Sequence, residues 1–159
     1  DNEQLITGYA DSDWANDPET RRSVTGYIII LNGSPIVWRS KLQGAVTLFS
    51  SEAEWTAMAH GMRHCIFIRG ILAEMGIPQG ATAWYMDNRG ALQAAAITGF
   101  NGRTKHVDIK LKCTREYIHD RSFDVQFVPT TKQVADIFTK RLRKSATLVF
   151  IDSVLSRRV

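Results

Sequence analysis

The spacing of apolar residues along the chain predicts strands first and a long helix afterwards. Three short apolar runs are predicted as strands: residues 4–10, 24–31 and 35–39. Between the last two, Asn32 and Gly33 supply the positive φ angles of a tight hairpin turn. A further strand is predicted at 45–50. From Ser51 the apolar period changes to three and four residues, which predicts a helix that ends near Gly76.

The second half of the chain alternates between the two periods. Strands are predicted at 81–86 and 123–128, and helices at 90–97, at 107–119 and from Thr131 or Lys132 onward. This order predicts an α/β fold with a mixed sheet, in which an antiparallel hairpin segment precedes crossover helices. A chain of 159 residues forms one sizeable core. We expect one domain over residues 1–142 and a basic, apolar tail over 143–159.

Four acidic residues stand at the ends of these elements: Asp11, Glu54, Asp87 and Asp136. Asp11 follows the first strand, which is expected to stop there, and Asp87 follows the strand at 81–86. If the fold carries all four to one point, their oxygens suit Mg²⁺, and a pair of such ions is the arrangement that a two-metal nuclease requires.

Asp11 and Asp136 each leave an ordinary alternative open. Period two along a strand puts Asp11 and Asp13 on one face, so either can face a site. Asp13 also reads as a surface turn residue. Asp136 stands in the first turn of its predicted helix, where any carboxylate is stabilised by the helix dipole.

Glu54 and Asp87 have structural alternatives as well. The run from Ser51 to Glu54 is a capping box, in which the Glu54 side chain would return to the Ser51 amide. Asn88, directly after Asp87, has the right side chain to cap the next helix. The pattern of residues alone does not choose between these interpretations.

Composition narrows the class of protein and its partner. Apolar residues make up 44% and charged residues 23%, a composition that favours neither a fibrous nor a disordered class. No apolar stretch approaches the ~20 residues of a membrane span, so we expect no membrane partner. Lys and Arg exceed Asp and Glu by 20 to 16, which favours a polyanionic partner. The basic residues cluster in two segments: Arg103, Lys105, Lys110, Lys112 and Arg115, and Lys140, Arg141, Arg143 and Lys144.

Other residues fit an intracellular protein domain. Cys65 and Cys113 offer no framework of disulfides and are expected, like the four tryptophans, in the core. The two histidines His60 and His64 are spaced as a zinc pair, but no third ligand is near, so no zinc is predicted. The chain starts without Met, as a piece cut from a polyprotein would.

Five ordered runs carry a resemblance to a known family. They are YADSDWA at 9–15, SSEAEW at 50–55, MDN at 86–88, RTKHVD at 103–108, and VPT with QVADIFTK between 128 and 140. Together they span nearly the whole chain. They resemble the ribonuclease H domain of Ty1/copia-type LTR retrotransposon polyproteins.

The resemblance implies a fold and an active site. The fold would be RNase H-like, a five-stranded mixed sheet with helices on both faces. The catalytic, metal-binding acids would be Asp11, Glu54, Asp87 and Asp136, which selects Asp11 over Asp13 and Glu54 over Glu52. The cofactor would be two Mg²⁺ ions, with Mn²⁺ as a substitute. Asp11 would bridge both ions, Asp87 and Asp136 would hold the ion that activates water, and Glu54 would hold the ion at the leaving oxygen.

The same resemblance implies a substrate and partners. The enzyme would cut the RNA strand of RNA/DNA hybrids, and an upstream reverse transcriptase in the same polyprotein would hold the hybrid. The location would be intracellular, in a cytoplasmic retroelement particle with access to the nucleus. The residues expected to contact substrate are Ser12, Ser50, Ser51, Asn88, Lys105, Lys112 and Arg115.

One departure and two alternatives qualify this expectation. Cellular ribonucleases H resemble this chain but carry a mobile histidine after the last strand, where this chain has residues 128–131, Val-Pro-Thr-Thr. A weakly active or non-catalytic module that binds hybrids is therefore an alternative. An integrase or transposase core is another alternative. Such cores have a three-acid pattern and lack an acid on the helix at the position of Glu54.

Overall fold

The protein, seen here as a computed structural model, is built on one five-stranded sheet. The structure describes residues 5–47, 49–96, 105–141 and 144–155. The strands are β1 (Ile6–Asp13), β2 (Val24–Leu31), β3 (Ser34–Leu42), β4 (Thr82–Met86) and β5 (Phe123–Phe127). They lie in the order β3-β2-β1-β4-β5. β1, β2 and β3 pair antiparallel, whereas β4 is parallel to both β1 and β5. The predicted mixed α/β sheet is confirmed.

The helices and short turns complete the fold. The helices are α1 (Ser50–Glu74), α2 (Arg89–Ala96), α3 (Lys105–His119) and α4 (Lys144–Leu155). Two 3₁₀ turns follow β5: the first turn is Thr130–Lys132 and the second turn is Val134–Phe138. The predicted hairpin turn is present, since Asn32 has φ 47° and Gly33 has φ 79°.

α1 packs closely on the sheet through two glycines. The indole of Trp84, which is fully buried, fills the space between Gly8 on β1 and Gly61 on α1. A Cβ at Gly8 would lie 2.2 Å from that indole and one at Gly61 would lie 2.6 Å from it. This close approach sets the first turns of α1 against the carboxyl end of β1, where the acids lie.

The first strand is longer than predicted. β1 does not stop at Asp11, because Asp11, Ser12 and Asp13 continue to pair with Gly26, Thr25 and Val24 of β2. The expectation failed because polar side chains suggested a turn, whereas the neighbouring strand offers backbone partners through Asp13. Asp11 is therefore a buried residue within a strand.

The strand predicted at 45–50 is wrong. Residues 43–47 form a loop, and α1 already begins at Ser50. Gln43 is buried, and its amide nitrogen donates hydrogen bonds to Thr25 Oγ1 at 2.9 Å and to the carbonyl of Ala53 at 3.1 Å. The loop thus satisfies its polar groups through side chains rather than through a strand ladder.

The helix predicted from Thr131 or Lys132 is also wrong. Gln133 interrupts it with an extended backbone, φ −75° and ψ 101°, and separates the two 3₁₀ turns. The buried Gln133 side chain donates to the carbonyl of Ala10 at 2.9 Å and accepts from Ala135 N at 3.2 Å. This bridge between β1 and the second turn replaces the helical hydrogen bonds that a continuous helix would make.

The C-terminal tail contains a helix. α4 contacts β3 and the second turn, and the rings of Phe138 and Phe150 meet edge to face at 5.9 Å. The proposed domain boundary at 142 stays a prediction. Within the described residues, no helix has the length and apolar character needed to cross a membrane.

The expectation of core positions holds for only some of the residues named. Trp55, Trp84 and Cys65 are buried, and Cys113 is half-buried. Trp14 and Trp38 are 47% and 60% exposed, so their assignment to the core is wrong.

Candidate metal-binding active site

Parallel pairing of β1 with β4 brings Asp11 and Asp87 together. Tyr9 lies opposite Tyr85 in the register, and their rings stack with centroids 4.8 Å apart. Asp11 and Asp87 are each two residues beyond this pair, so strand period puts both acids on the tyrosine side of the sheet. The carboxyl ends of neighbouring parallel strands therefore present two carboxylates side by side.

The second 3₁₀ turn adds Asp136. Gly26, the partner of Asp11 in β2, lets this segment cross the sheet closely, since a Cβ there would lie 2.6 Å from Thr139 Cγ2. One carboxylate oxygen from each of Asp11, Asp87 and Asp136 lies within 4.8 Å of the other two. Asp11 is only 1% exposed. Three of the four predicted acids thus form a cluster.

Lys140 joins this cluster, a position that our sequence analysis missed. Its Nζ lies 2.8 Å from Asp136 Oδ1 and 3.5 Å from Asp11 Oδ2, and the Thr139 hydroxyl donates a hydrogen bond to Asp11. From the sequence, the basic segment that contains Lys140 indicates only a polyanionic partner. The spacing of four residues between Asp136 and Lys140 is the sequence signal that indicates an ion pair.

The cluster perturbs the pKa values of its members. Burial, together with the charges of Asp11 and Asp87, raises the pKa of Asp136 to about 6 in spite of the hydrogen bond from Lys140. Burial works against the charge on Lys140, but its hydrogen bond to Asp136 and the three nearby aspartates raise the pKa of its ammonium above the ordinary value. Lys140 is therefore a permanent cation inside the acid cluster.

Glu54 approaches the same cleft from α1. Its side chain is buried, and Oε1 accepts one long hydrogen bond, 3.4 Å, from Ser12 N. Within the described residues, Oε2 is buried and has no hydrogen-bond partner. Burial, followed by the charges of Asp11 and Asp87, raises the pKa of Glu54 to about 9.

The capping box expected at the start of α1 does not form. The N-cap residue is Phe49, and no side chain makes a cap hydrogen bond there. The amides of Glu52 and Ala53 instead donate to the carbonyl of Phe49 at 3.1 and 3.3 Å. Ser51 is already inside the helix and is not its N-cap. The Glu54 side chain therefore does not return to the Ser51 amide, and it lines the cleft instead.

Asp87 and Asn88 divide two roles between them. Asp87 Oδ2 accepts a 2.8 Å hydrogen bond from the Thr130 hydroxyl on the first turn. Asn88 Oδ1 accepts a 3.0 Å hydrogen bond from Ala91 N, so the capping role considered for Asn88 is present. Because Asn88 also lines the cleft, capping does not exclude contact with a ligand.

Three of the four acids, Asp11, Glu54 and Asp87, line a cleft of about 480 Å³. It is lined by Asp11, Ser12, Glu54, Asp87, Asn88, Arg89, Phe127 and Lys140. Arg89 and Phe127 are not among the site residues predicted from the sequence. Neither has a distinctive spacing, and Phe127 reaches the cleft only because β5 pairs with β4.

Of the predicted substrate contacts, Ser12 and Asn88 line the cleft. Ser50 is exposed and Ser51 is half-buried at the start of α1, whereas Lys112 is exposed and Arg115 is half-buried on α3. Within the described residues, these four are not part of the cleft lining. The Lys105 prediction concerns a side chain outside the described residues.

The donor set fits a divalent metal. Carboxylate oxygens are the ligands that hard cations prefer, and the three clustered aspartates offer them at one point. The buried Glu54 Oε2, which has no hydrogen-bond partner among the described residues, is a further possible metal ligand at the edge of the cleft. An acid cluster with one ammonium for several carboxylates has room for additional positive charge.

The chain is similar in sequence to retrovirus-related Pol polyproteins of plant transposons. The chain is 35% identical over 136 residues to the retrovirus-related Pol polyprotein from transposon TNT 1-94 of Nicotiana tabacum, which covers 86% of the chain and 10% of the relative. It is 34% identical over 155 residues to the corresponding polyprotein from transposon RE1 of Arabidopsis thaliana, with 97% of the chain and 11% of the relative covered. The chain thus spans about a tenth of the length of these relatives. No protein-family model matches it.

Solved structures share the fold. LC11-RNase H1 in complex with RNA/DNA hybrid has a TM-score of 0.60 at 16% identity, covering 84% of this chain and 93% of that one. The foamy viral protease-reverse transcriptase in complex with RNA/DNA hybrid has a TM-score of 0.62 at 15% identity, covering 86% of this chain and 20% of that one. The predicted RNase H-like fold is confirmed.

Proposed function

We propose that this chain, which fits a ribonuclease H domain of a copia-type Pol polyprotein, hydrolyses the RNA strand of RNA/DNA hybrids with bound divalent metal. The observation that carries the proposal is that carboxylate oxygens of Asp11, Asp87 and Asp136 lie within 4.8 Å of one another, near the carboxyl ends of β1 and β4 in an RNase H-like fold. Its support is twofold: the sequence relatives are Pol polyproteins, and two neighbours of the same fold are bound to RNA/DNA hybrids.

We assign the metal-binding and catalytic roles to Asp11, Glu54, Asp87 and Asp136, and the cofactor to two Mg²⁺ ions that Mn²⁺ can replace. When bound, the ions activate water and stabilise the charge on the leaving 3′ oxygen. Asp11 is central among these residues. It accepts a hydrogen bond from Thr139, pairs with Lys140, and has a carboxylate oxygen within 4.8 Å of one on Asp87. Asp87 and Asp136 serve the water side and Glu54 the leaving-group side.

The residues around the acids hold them in place. The Thr139 hydroxyl orients Asp11, and the Thr130 hydroxyl orients Asp87. Ser12 N donates to Glu54, which restrains the only helix-borne acid of the four. Fixed ligands favour catalysis because their orientation is set before substrate binds.

Substrate contact is assigned to Ser12 and Asn88 in the cleft, and to Ser50, Ser51, Lys105, Lys112 and Arg115 around it. Small polar groups suit the shallow minor groove of a hybrid and its 2′-hydroxyls, whereas basic side chains suit phosphates. An upstream reverse transcriptase in the same polyprotein is the proposed partner that keeps the hybrid bound.

The test is a cleavage assay with each strand labelled in turn. RNA/DNA, RNA/RNA and DNA/DNA duplexes are incubated with the chain in Mg²⁺ and in EDTA. Cutting confined to the RNA strand of the hybrid, and only with Mg²⁺, is expected. Asp87→Asn should abolish it, whereas Asp124→Asn, an exposed residue on β5, should not. Equal cutting of RNA/RNA, or full activity of Asp87→Asn, contradicts the proposal.

A second candidate is a weakly active or non-catalytic module that binds hybrids and depends on the attached reverse transcriptase. The observation that favours it is Lys140, whose ammonium already pairs with Asp11 and Asp136 and so offsets part of their negative charge. The same assay separates the two candidates. Hybrid binding without cleavage in either Mg²⁺ or Mn²⁺ would favour the binding module.

A further inference from the structure

Arg89 and Phe127 form a cation–aromatic pair at the wall of the acid cleft. The guanidinium carbon of Arg89 lies 4.5 Å from the centroid of the Phe127 ring, and both residues line the cleft with Asp87. Arg89 is exposed, and Phe127 is 41% exposed at the last position of β5. The metal-binding residues assigned above do not account for this pair.

The charge of Arg89 is not neutralised by a carboxylate. Among the residues that the structure describes, Arg89 makes no ion pair, whereas the other cation of the cleft, Lys140, is bound to Asp11 and Asp136. The contact with the ring is made through the guanidinium carbon, and the five N–H donors of a guanidinium point outward in its own plane, where they can bind other groups. Arg89 is therefore a cation with available donors beside an acidic site.

The position of the pair separates it from the acid cluster. Phe127 is the partner of Met86 in the β4–β5 register, so the pair lies on the β5 side of Asp87. Asp11 and Glu54 approach the cleft from β1 and α1 on the other side. An anion at Arg89 is consequently a different group from one held at the acids through metal.

We propose that Arg89 binds a backbone phosphate of the hybrid next to the scissile one, on the β5 side of the cleft, and that Phe127 positions the guanidinium. This rests on the proposed function, since it takes the hybrid as the ligand. A planar guanidinium can bind two oxygens of a phosphate at once, which an ammonium cannot. Phe127 is a positioning residue, because it acts through Arg89.

Salt dependence of binding distinguishes a phosphate contact from a purely structural pair. A fluorescent RNA/DNA hybrid is titrated by anisotropy in EDTA, where no cleavage occurs, at several KCl concentrations. The variants are Arg89→Gln, Arg89→Lys and Phe127→Leu, each checked for folding by circular dichroism. The matched control is Arg121→Gln, an exposed arginine in the turn before β5, at the far end of that strand.

The expected results differ for each variant. In Arg89→Gln the negative slope of log affinity against log salt should decrease in magnitude by about 0.7–0.9, the value of one lost phosphate contact. Arg89→Lys and Phe127→Leu should keep the wild-type slope and bind several-fold more weakly, because charge remains and geometry is lost. Arg121→Gln should match the wild type.

Three results would overturn the proposal. They are an unchanged slope in Arg89→Gln, an equal fall of the slope in Arg121→Gln, and wild-type hybrid binding that does not depend on salt. Cleavage in Mg²⁺ is measured separately on the wild type. A slope effect at Arg89 without any cleavage would contradict the proposed function alone, whereas cleavage without a slope effect would contradict the Arg89 assignment alone.

Discussion

The buried carboxylates on the two sides of the acid cleft differ in their polar partners. On the lysine side, Asp11 and Asp136 share the Lys140 ammonium at 3.5 and 2.8 Å. On the helix side, Glu54 has one hydrogen bond of 3.4 Å and a buried oxygen without a partner among the described residues. The lysine side carries its own cation and the helix side carries none.

This difference indicates how the buried carboxylates on each side are kept from carrying an unpaired charge. A buried carboxylate must be paired or protonated, because an isolated charge in the interior is costly. Asp11 and Asp136 are paired with Lys140, whereas the pKa of Glu54, raised to about 9, keeps that side chain protonated at neutral pH. Removing the Lys140 ammonium on one side and the ionisable Glu54 carboxyl on the other should therefore have opposite effects on stability.

The largest expected effect concerns catalysis and the lysine side. Asp11→Asn should lower the single-turnover rate of hybrid cleavage at least about 10³-fold, because it removes the ligand nearest to both sides of the cleft. Asp13→Asn is the control, since Asp13 lies two residues on along the same strand face. Equal losses in the two variants would contradict the choice of Asp11.

The next effect is on the stability of the metal-free protein. Lys140→Met leaves Asp11 and Asp136 without a cation, and should lower the free energy of unfolding at pH 8 in EDTA. We expect a loss of roughly 1–3 kcal/mol, less than the ~3–5 kcal/mol of a fully buried pair, because the lysine is partly exposed. Urea denaturation measures it, with the exposed Lys132→Met as the control.

Mg²⁺ should recover part of the stability lost in Lys140→Met, since bound metal supplies the missing charge. If Lys140→Met is as stable as Lys132→Met in EDTA, the ion pairs of Lys140 do not stabilise the lysine side. The comparison between the two sides would then fail.

The helix side should respond in the opposite direction. The pKa of Glu54 is raised from 4.5 to about 9 in the fold, so its contribution to stability is fully present below pH 4.5 and is lost as pH rises toward 9. Glu54→Gln removes this loss and should be more stable than the wild type at pH 8 in EDTA, by roughly 1–3 kcal/mol. Near pH 4.5 the two should agree.

Urea denaturation at both pH values tests this prediction, and saturating Mg²⁺ should reverse the order at pH 8, because amide oxygen is a poor ligand for a hard cation. A Glu54→Gln variant that is less stable than the wild type at pH 8 in EDTA would show that Glu54 is ionised and paired.

The smallest effect concerns the hydrogen bond that orients Asp87. Thr130→Val removes the 2.8 Å donor to Asp87 while keeping the shape of the side chain. Cleavage should slow by roughly threefold to tenfold, since the bond is exposed and worth about 1 kcal/mol. Thr131→Val, the exposed neighbour, should cleave at the wild-type rate, and a similar loss there would remove the role of Thr130.

Much of the architecture was predictable because it is encoded locally. Period two and period 3.6 located all five strands and α1, α2 and α3, and the Asn32–Gly33 turn follows from two residues that adopt positive φ. The runs around the four acids also indicated the homology that the Pol polyproteins share. The predicted strand at 45–50 and the predicted helix after β5 failed at segments where a buried glutamine side chain makes hydrogen bonds to other parts of the chain.

Gln133 is the clearest example of such a failure. The apolar residues around Gln133 have helical spacing. Its side-chain amide, however, donates a hydrogen bond to the carbonyl of Ala10, 123 positions away in the chain, and the helix is interrupted at Gln133. The loop before α1 fails for the same reason, because Gln43 bonds to Thr25 and Ala53. No local pattern contains those partners.

The chain by itself determined that Asp11 and Asp87 lie near the carboxyl ends of two strands and that Glu54 lies near the start of a long helix. The tertiary structure decided what surrounds them in the described part of the chain: Lys140 lies between Asp11 and Asp136, one buried Glu54 oxygen has no hydrogen-bond partner there, and Arg89 lies over the ring of Phe127. Element ends follow from short-range backbone preferences, which are written in adjacent residues. Pairing and burial depend on which strands lie side by side, and that is set by packing of the whole sheet.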